Sequence, residues 1–151
     1  MAYFVTGATG FIGQFLVRNL LKRGQPIYVL VRKSSVKKLD ALREEWGATE
    51  KQILPVGGDL GKKNLGVADA DLRKLKGKVD QMFHLAAIYD LKADAQAQQI
   101  ANVDGTRHAV QFADAVGAKC FHHVSSIAAA GLYDGVFRED MFDEAEDLDH
   151  P

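Results

Sequence analysis

Three glycines at intervals of three, Gly7, Gly10 and Gly13, stand between a short apolar run, Ala2 to Thr6, and a longer amphipathic one that begins at Phe11. A strand that enters such a turn and leaves it as a helix presents free backbone N–H groups and the positive end of the helix dipole to an anion. The glycines divide the work. Gly7 permits a tight turn, Gly10 keeps a Cβ out of the path of approaching phosphates, and Gly13 lets the helix pack close to the strand. The GxxGxxG spacing is one residue longer in its first gap than the usual dinucleotide fingerprint. Strand before, helix after and a place at the start of the chain point to a pyrophosphate cradle rather than a turn that only packs.

Other candidate groups follow apolar runs in the same way. Arg32 comes directly after Pro26 to Val31, where an acidic residue would accept hydrogen bonds from the adenosine ribose of NAD. A guanidinium there, with Lys33 and Ser34 beside it, instead suits a 2′-phosphate and therefore NADP(H), the plain alternative being a solvated arginine at a strand end. Asp59 after Gly57-Gly58 can accept from an adenine amino group, although Gly-Asp is also common turn chemistry. His84 and His122 fall within expected strands, where packing or backbone hydrogen bonding is the usual role, and no metal site is assigned. Ser126 lacks the Gly-x-Ser-x-Gly elbow of a hydrolase nucleophile. It fits better as a donor to a substrate carbonyl beside a nicotinamide, with Ser125 as its neighbouring alternative.

These groups need a frame. Phe11, Phe15, Leu16, Leu20 and Leu21 recur at helical spacing, and Lys22-Arg23-Gly24 reads as a helix stop. Strands are expected at Ala2–Thr6, Pro26–Val31, Gln52–Val56, Val79–Leu85 and Lys119–Val124. A helix capped by Ser35 places Val36, Leu39, Leu42 and Trp46 on one face. Residues 61 to 67 read as loop, and Leu72 to Leu75 as a short helix. Ala93 to Val116 reads as one long helix, irregular near Asp104-Gly105 because glycine is unfavourable there. Five strands alternating with helices make an α/β doubly wound parallel sheet of order 3-2-1-4-5. Its ligand belongs at the strand C-termini, between strands one and four. Ala86-Ala87 supplies small side chains on that rim.

The 151 residues are 47% hydrophobic and 26% charged, which fits one globular domain with a sizeable core. Formal charge is −1, but seven acids fall among residues 139–151. With nineteen basic residues against the thirteen remaining acids, the body carries +6, and 132–151 is expected as an acidic loop segment. A mildly basic body suits an anionic cofactor, and no basic stripe with interleaved aromatics argues for nucleic acid. Cys120 is the single cysteine, which excludes a disulfide framework and fits the reducing cytoplasm. No apolar stretch approaches the roughly 20 residues of a membrane span, and no leader pattern precedes the first strand.

Taken together, TGATGFIG at 6–13, LVR at 30–32, GDL at 58–60, HLAA at 84–87, NVDGT at 102–106 and HVSS at 123–126 resemble the extended short-chain dehydrogenase/reductases over nearly the whole chain. Within that superfamily, YVLVRKSSVKKLDALREEWG, HLAAIYDL and HHVSSIAAAGLYDGVFREDMF are most similar to the reductase domain of bacterial alcohol-forming fatty acyl-CoA reductases. The resemblance implies that Gly7, Gly10 and Gly13 form the pyrophosphate loop, with backbone contacts from Thr9, Phe11 and Ile12. It implies that Arg32 holds the 2′-phosphate, Asp59 and Leu60 the adenine, and Ala86 and Ala87 the centre of the cofactor. Asn102 matches the asparagine that supports the active-site helix, and Ser126 the substrate-orienting hydroxyl.

One part of the family pattern is missing. Its acid is a tyrosine four residues before a lysine, and none of Tyr3, Tyr28, Tyr89 or Tyr133 has Lys at that offset. Residues 1–151 are therefore expected to be the N-terminal NADP-binding part of a longer reductase, inactive alone, whose nearest partner is the rest of its own chain. The implied reaction is NADPH-dependent reduction of a fatty aldehyde or fatty acyl thioester, a small lipid-like carbonyl substrate. A sterol or flavonol-type ketone reductase, or a non-catalytic NADP-binding sensor or interaction protein, are the alternatives. Homo-oligomerisation is left open.

Overall fold

In the computed structural model, residues 1–88 and 94–141 are described. The strands β1 (Ala2–Thr6), β2 (Ile27–Val31), β3 (Ile53–Gly57), β4 (Val79–His84) and β5 (Cys120–His123) form one sheet of order β3-β2-β1-β4-β5. Every neighbouring pair is parallel, and the expected doubly wound topology is what the chain adopts. Three strand starts move inward by one residue, to Ile27, Ile53 and Cys120. Pro26 has no N–H to give to a ladder, and its carbonyl only accepts from Tyr3 N–H (2.9 Å), while Gln52 similarly serves Ile27 N–H through its carbonyl (2.8 Å).

Alternation along the strands sorts the apolar residues into two cores. Tyr3, Val5, Ile27, Val29 and Ile53 face α1 (Phe11–Leu21) and α2 (Val36–Glu45), meeting Val17, Leu20 and Leu39. Phe4, Val56 and Met82 face α3 (Asp69–Leu75) and α5 (Gly105–Val116), meeting Leu75, Ala109, Phe112 and Val116. β1 is buried along its whole length, as a central parallel strand covered on both faces must be. Phe4 and Phe112 pack with ring centroids 4.4 Å apart, pinning α5 across the middle of the sheet.

Four local expectations need correction. In α1 the inward stripe is Gly13, Val17 and Leu20, whereas Phe11 is 80% exposed and packs edge-on against Phe15. The close approach of Gly13 to the glycine loop fixes the rotation of the helix, and the phenylalanines are left outside. Ser35 stands at the head of α2 without a side-chain cap bond. Its backbone is already near-helical (φ −101°, ψ −2°) because a 3-10 turn, Lys33–Ser35, leads into the helix. Residues 61 to 67 are not a plain loop: the turn Lys63–Gly66 holds Asn64 and Leu65 in the left-handed region (φ 50° and 58°). The long helix becomes α4 (Ala95–Gln98), a π segment (Gln99–Asp104) and α5. Its irregularity lies ahead of Gly105, which itself has ordinary helical geometry. There the Thr106 hydroxyl donates to the Asn102 carbonyl (2.6 Å), a bond that competes with the regular ladder. The acidic segment expected at 132–151 lies outside the described residues from 142 onward, and 132–141 carries no helix or strand.

Phe112→Ala removes a fully buried ring shared by the sheet and α5. It is expected to destabilise the chain by about 3–5 kcal/mol, read as a lower urea midpoint at unchanged slope.

Candidate functional site

The site begins with a steric fact. Gly7 has φ +74°, and a Cβ there would sit 2.8 Å from Ala86 N, so the loop after β1 lies against the chain leaving β4. A Cβ on Gly13 would sit 2.1 Å from the Gly7 carbonyl oxygen. Gly13 thus lets α1 close onto the loop itself, more than onto the strand as its position implied. Gly10 N–H donates to that same Gly7 carbonyl (2.9 Å), and the first intrahelical bond runs from Gln14 N–H to Gly10 O (3.0 Å). The N–H groups of residues 11 to 13 are consequently those a helix start leaves without intrahelical partners.

Beside this loop, at the C-terminal rim between β1 and β4, opens a cleft of about 480 Å³. Gly7, Thr9, Arg32, Asp59, Leu60, Ala86 and Ala87, drawn from four separate stretches of sequence, all line it. Arg32 pairs with no carboxylate among the described residues. Lys33 and Ser34 do not line the cleft, and Ser35, whose hydroxyl was expected to cap α2, does. Asp59 Oδ1 accepts from Gly61 N–H (3.0 Å), which shapes the turn. Leu60 is held from behind, where its carbonyl accepts from Nδ1 of His108 (2.8 Å). Gly10, Phe11, Ile12 and Gly13 shape the approach without lining the cavity.

The substrate-facing candidates stand apart. Ser125 and Ser126 follow β5 on the same rim, exposed and outside the cleft. Ser126 Oγ accepts from Ala128 N–H (3.2 Å) and caps the 3-10 turn Ile127–Ala130. Asn102 grips the backbone of Ile88, its Oδ1 accepting from Ile88 N–H (2.8 Å) and its Nδ2 donating to Ile88 O (3.0 Å). Its side chain positions the segment after β4 and is not free to meet a ligand.

Several residues escaped the sequence reading. Gly58 leaves no room for a Cβ, which would lie 2.4 Å from the Leu65 carbonyl oxygen. Ala97, Ile100 and Ala101 form one wall of the cleft, on a stretch whose period was read only as helix. His84 was expected to pack or bond backbone. It does pack, buried beside Phe121 and His123, but its ring nitrogens meet two side-chain hydroxyls rather than backbone, Thr6 Oγ1 at 2.8 Å and Thr106 Oγ1 at 3.3 Å. The first contact follows from the pairing of Thr6 with His84 across β1 and β4, so strand order would have revealed it. Among the described residues, no group of three His, Cys, Asp or Glu side chains is placed to hold a metal ion.

A family model described as male sterility protein, an NAD-binding family, matches residues 5–150. A Drosophila melanogaster protein provisionally named a fatty acyl-CoA reductase is 30% identical over 95% of this chain and 31% of its own length. Among solved structures, the terminal R domain of the myxalamid PKS-NRPS biosynthetic pathway is 30% identical with a TM-score of 0.77, over 93% of this chain and 38% of that one. Gre2 from Candida albicans, solved in complex with NADPH, is 28% identical with a TM-score of 0.71, over 87% of this chain and 38% of that one. The chain thus spans about a third of the length of each, and 3% of one large synthetase subunit. No helix among the described residues is long and apolar enough to cross a membrane.

Burial, reinforced by the nearby His123 ring, pushes the pKa of His84 from 6.5 down to about 4. The unfolded chain takes up a proton near pH 6.5 that the folded chain refuses until about pH 4. Stability from this group is therefore complete above the unfolded value and is lost as pH falls through the window, by up to about 1.4 kcal/mol per pH unit. Urea melts between pH 7 and pH 4 should show this slope, and His84→Gln should flatten it.

Proposed function

The chain belongs to the male sterility protein family, within the extended short-chain dehydrogenase/reductases, and from that premise we propose that it is the cofactor-binding portion of an NADPH-dependent reductase of fatty aldehydes or fatty acyl thioesters. The observation that carries the reading is the single cleft into which the glycine loop, Arg32, the Asp59-Leu60 turn and Ala86-Ala87 converge. The fit to a dinucleotide is steric as well as electrostatic. Side chains at Gly7 and Gly13 would collide with the backbone of Ala86 and with the Gly7 carbonyl and so prevent the loop from closing, and a guanidinium, Arg32, stands directly after β2 where a carboxylate would repel a 2′-phosphate.

The bound cofactor would supply hydride to the carbonyl carbon. This chain's own residues bind and orient. The N–H groups at the start of α1 receive the pyrophosphate, Arg32 the 2′-phosphate, and Asp59 with Leu60 the adenine edge. Ala86 and Ala87 leave room beside them, and the hydroxyl of Ser126 donates a hydrogen bond to the substrate oxygen. The fatty acyl preference draws support from the name of the Drosophila relative, and so does the thioester form, since an acyl-CoA is a thioester.

Titration with both cofactors tests the first half of this reading. Arg32→Ala is expected to weaken NADPH by roughly ten- to a hundredfold while leaving NADH nearly unchanged, because a charge-assisted pair contributes about 1.5–3 kcal/mol. Equal losses for both would remove the 2′-phosphate role. For the second half, NADPH oxidation with a long-chain aldehyde should be undetectable for residues 1–151, since none of the four tyrosines has the partner lysine that would tune it as an acid. Turnover by this chain matching that of a longer form would overturn the argument and direct attention to Tyr133.

A further inference from the structure

The hydrogen bonds around His84 have directions, and the directions are forced. Thr106 Oγ1 lies 2.6 Å from the Asn102 carbonyl, which can only accept, so the hydroxyl proton of Thr106 is spent there. Thr106 Oγ1 must then accept from His84, which places the ring proton on Nε2. Nδ1 is left as an acceptor, and Thr6 donates to it (2.8 Å). The two remaining lone pairs of Thr6 Oγ1 receive Leu85 N–H and Ala86 N–H, both at 3.2 Å. With the proton on Nδ1 instead, Thr6 would face three N–H donors, and the Nε2 lone pair would confront the oxygen of Thr106.

This chain of bonds closes on itself. Thr6 holds the first amides of the 85–88 segment. Asn102, whose carbonyl takes the proton of Thr106, grips the last residue of that segment through its side chain at Ile88. Ala86, Ala87 and Ile88 line one side of the cleft, and Ala97, Ile100 and Ala101 line another. His84 is 1% exposed, and its ring neighbours are Phe121 and His123, whose centroid is 5.5 Å away. We propose that His84, acting through the hydroxyls of Thr6 and Thr106, is a positioning residue that fixes both ends of the 85–88 segment and so sets two walls of the cleft. Its consequence for cofactor affinity rests on the reading given under Proposed function; the positioning itself does not.

Ring-nitrogen NMR of the wild-type chain at pH 7 should show His84 neutral, protonated on Nε2 and bare on Nδ1; protonation on Nδ1, or a cationic ring, overturns the proposal. Thr106→Val removes both bonds of the hydroxyl at nearly constant shape, and Thr106→Ser keeps them. Amide exchange at Ala86 and Ile88 should quicken about tenfold in Thr106→Val and return to wild-type rates in Thr106→Ser. Unchanged exchange at these two amides in Thr106→Val, or a change spread equally through β1 and β2, overturns the positioning role. If Thr106→Val does not fold, the wild-type tautomer and wild-type protection in Thr106→Ser decide the matter, loss of either overturning the proposal. NADPH titration of the same proteins should follow the exchange results. Failure of the wild type to bind either nicotinamide cofactor would strike the cofactor reading alone, since the tautomer and exchange data are obtained without it.

Discussion

The contact on which the rest of the structure depends is the approach of Gly13 to the carbonyl of Gly7, where any side chain would overlap that oxygen. It brings the start of α1 down onto the loop, aims its unpartnered N–H groups at the rim, and sets the rotation that turns Val17 and Leu20 into the sheet. The same loop touches the chain leaving β4 through Gly7, so its shape is transmitted to Ala86. Strand pairing then carries the constraint outward: β1 is buried on both faces and fixes β2 on one side and β4 on the other.

Much of this was legible in sequence, because parallel strands covered on both faces appear as uninterrupted apolar runs. Pro26 to Val31 announces itself in this way, and the alternation of strands with helical periods restricts the topology to very few arrangements. The convergence of Gly7, Arg32, Asp59 and Ala86 on one cleft follows from that topology, since each lies just beyond the C-terminal end of a strand.

What escaped has a common physical origin. Periodicity records which residues are apolar but not which stripe is buried, and Phe11 and Phe15 satisfied the helical pattern while a steric contact at Gly13 chose another face. Ser35 has the right residue type for a cap, yet the turn before it had already satisfied the local geometry. At the end of the π segment the hydroxyl of Thr106 reaches back to Asn102, and the partner that orients it, His84, is twenty-two residues away in sequence. Interactions decided by single protons across strands leave no periodic trace.

The left-handed turn at Asn64 and Leu65 carries a different implication. Ordinary L-residues disfavour this conformation, yet Leu65 is fully buried and its carbonyl receives Asp59 N–H at 2.7 Å. The same carbonyl occupies the space a side chain at Gly58 would need. Residues 58 to 67 therefore behave as one inherited unit: redesign of the Asp59-Leu60 turn, or its transplantation into another sheet of this kind, must carry the left-handed turn with it, because Asp59 and Leu60 have no independent conformation to bring.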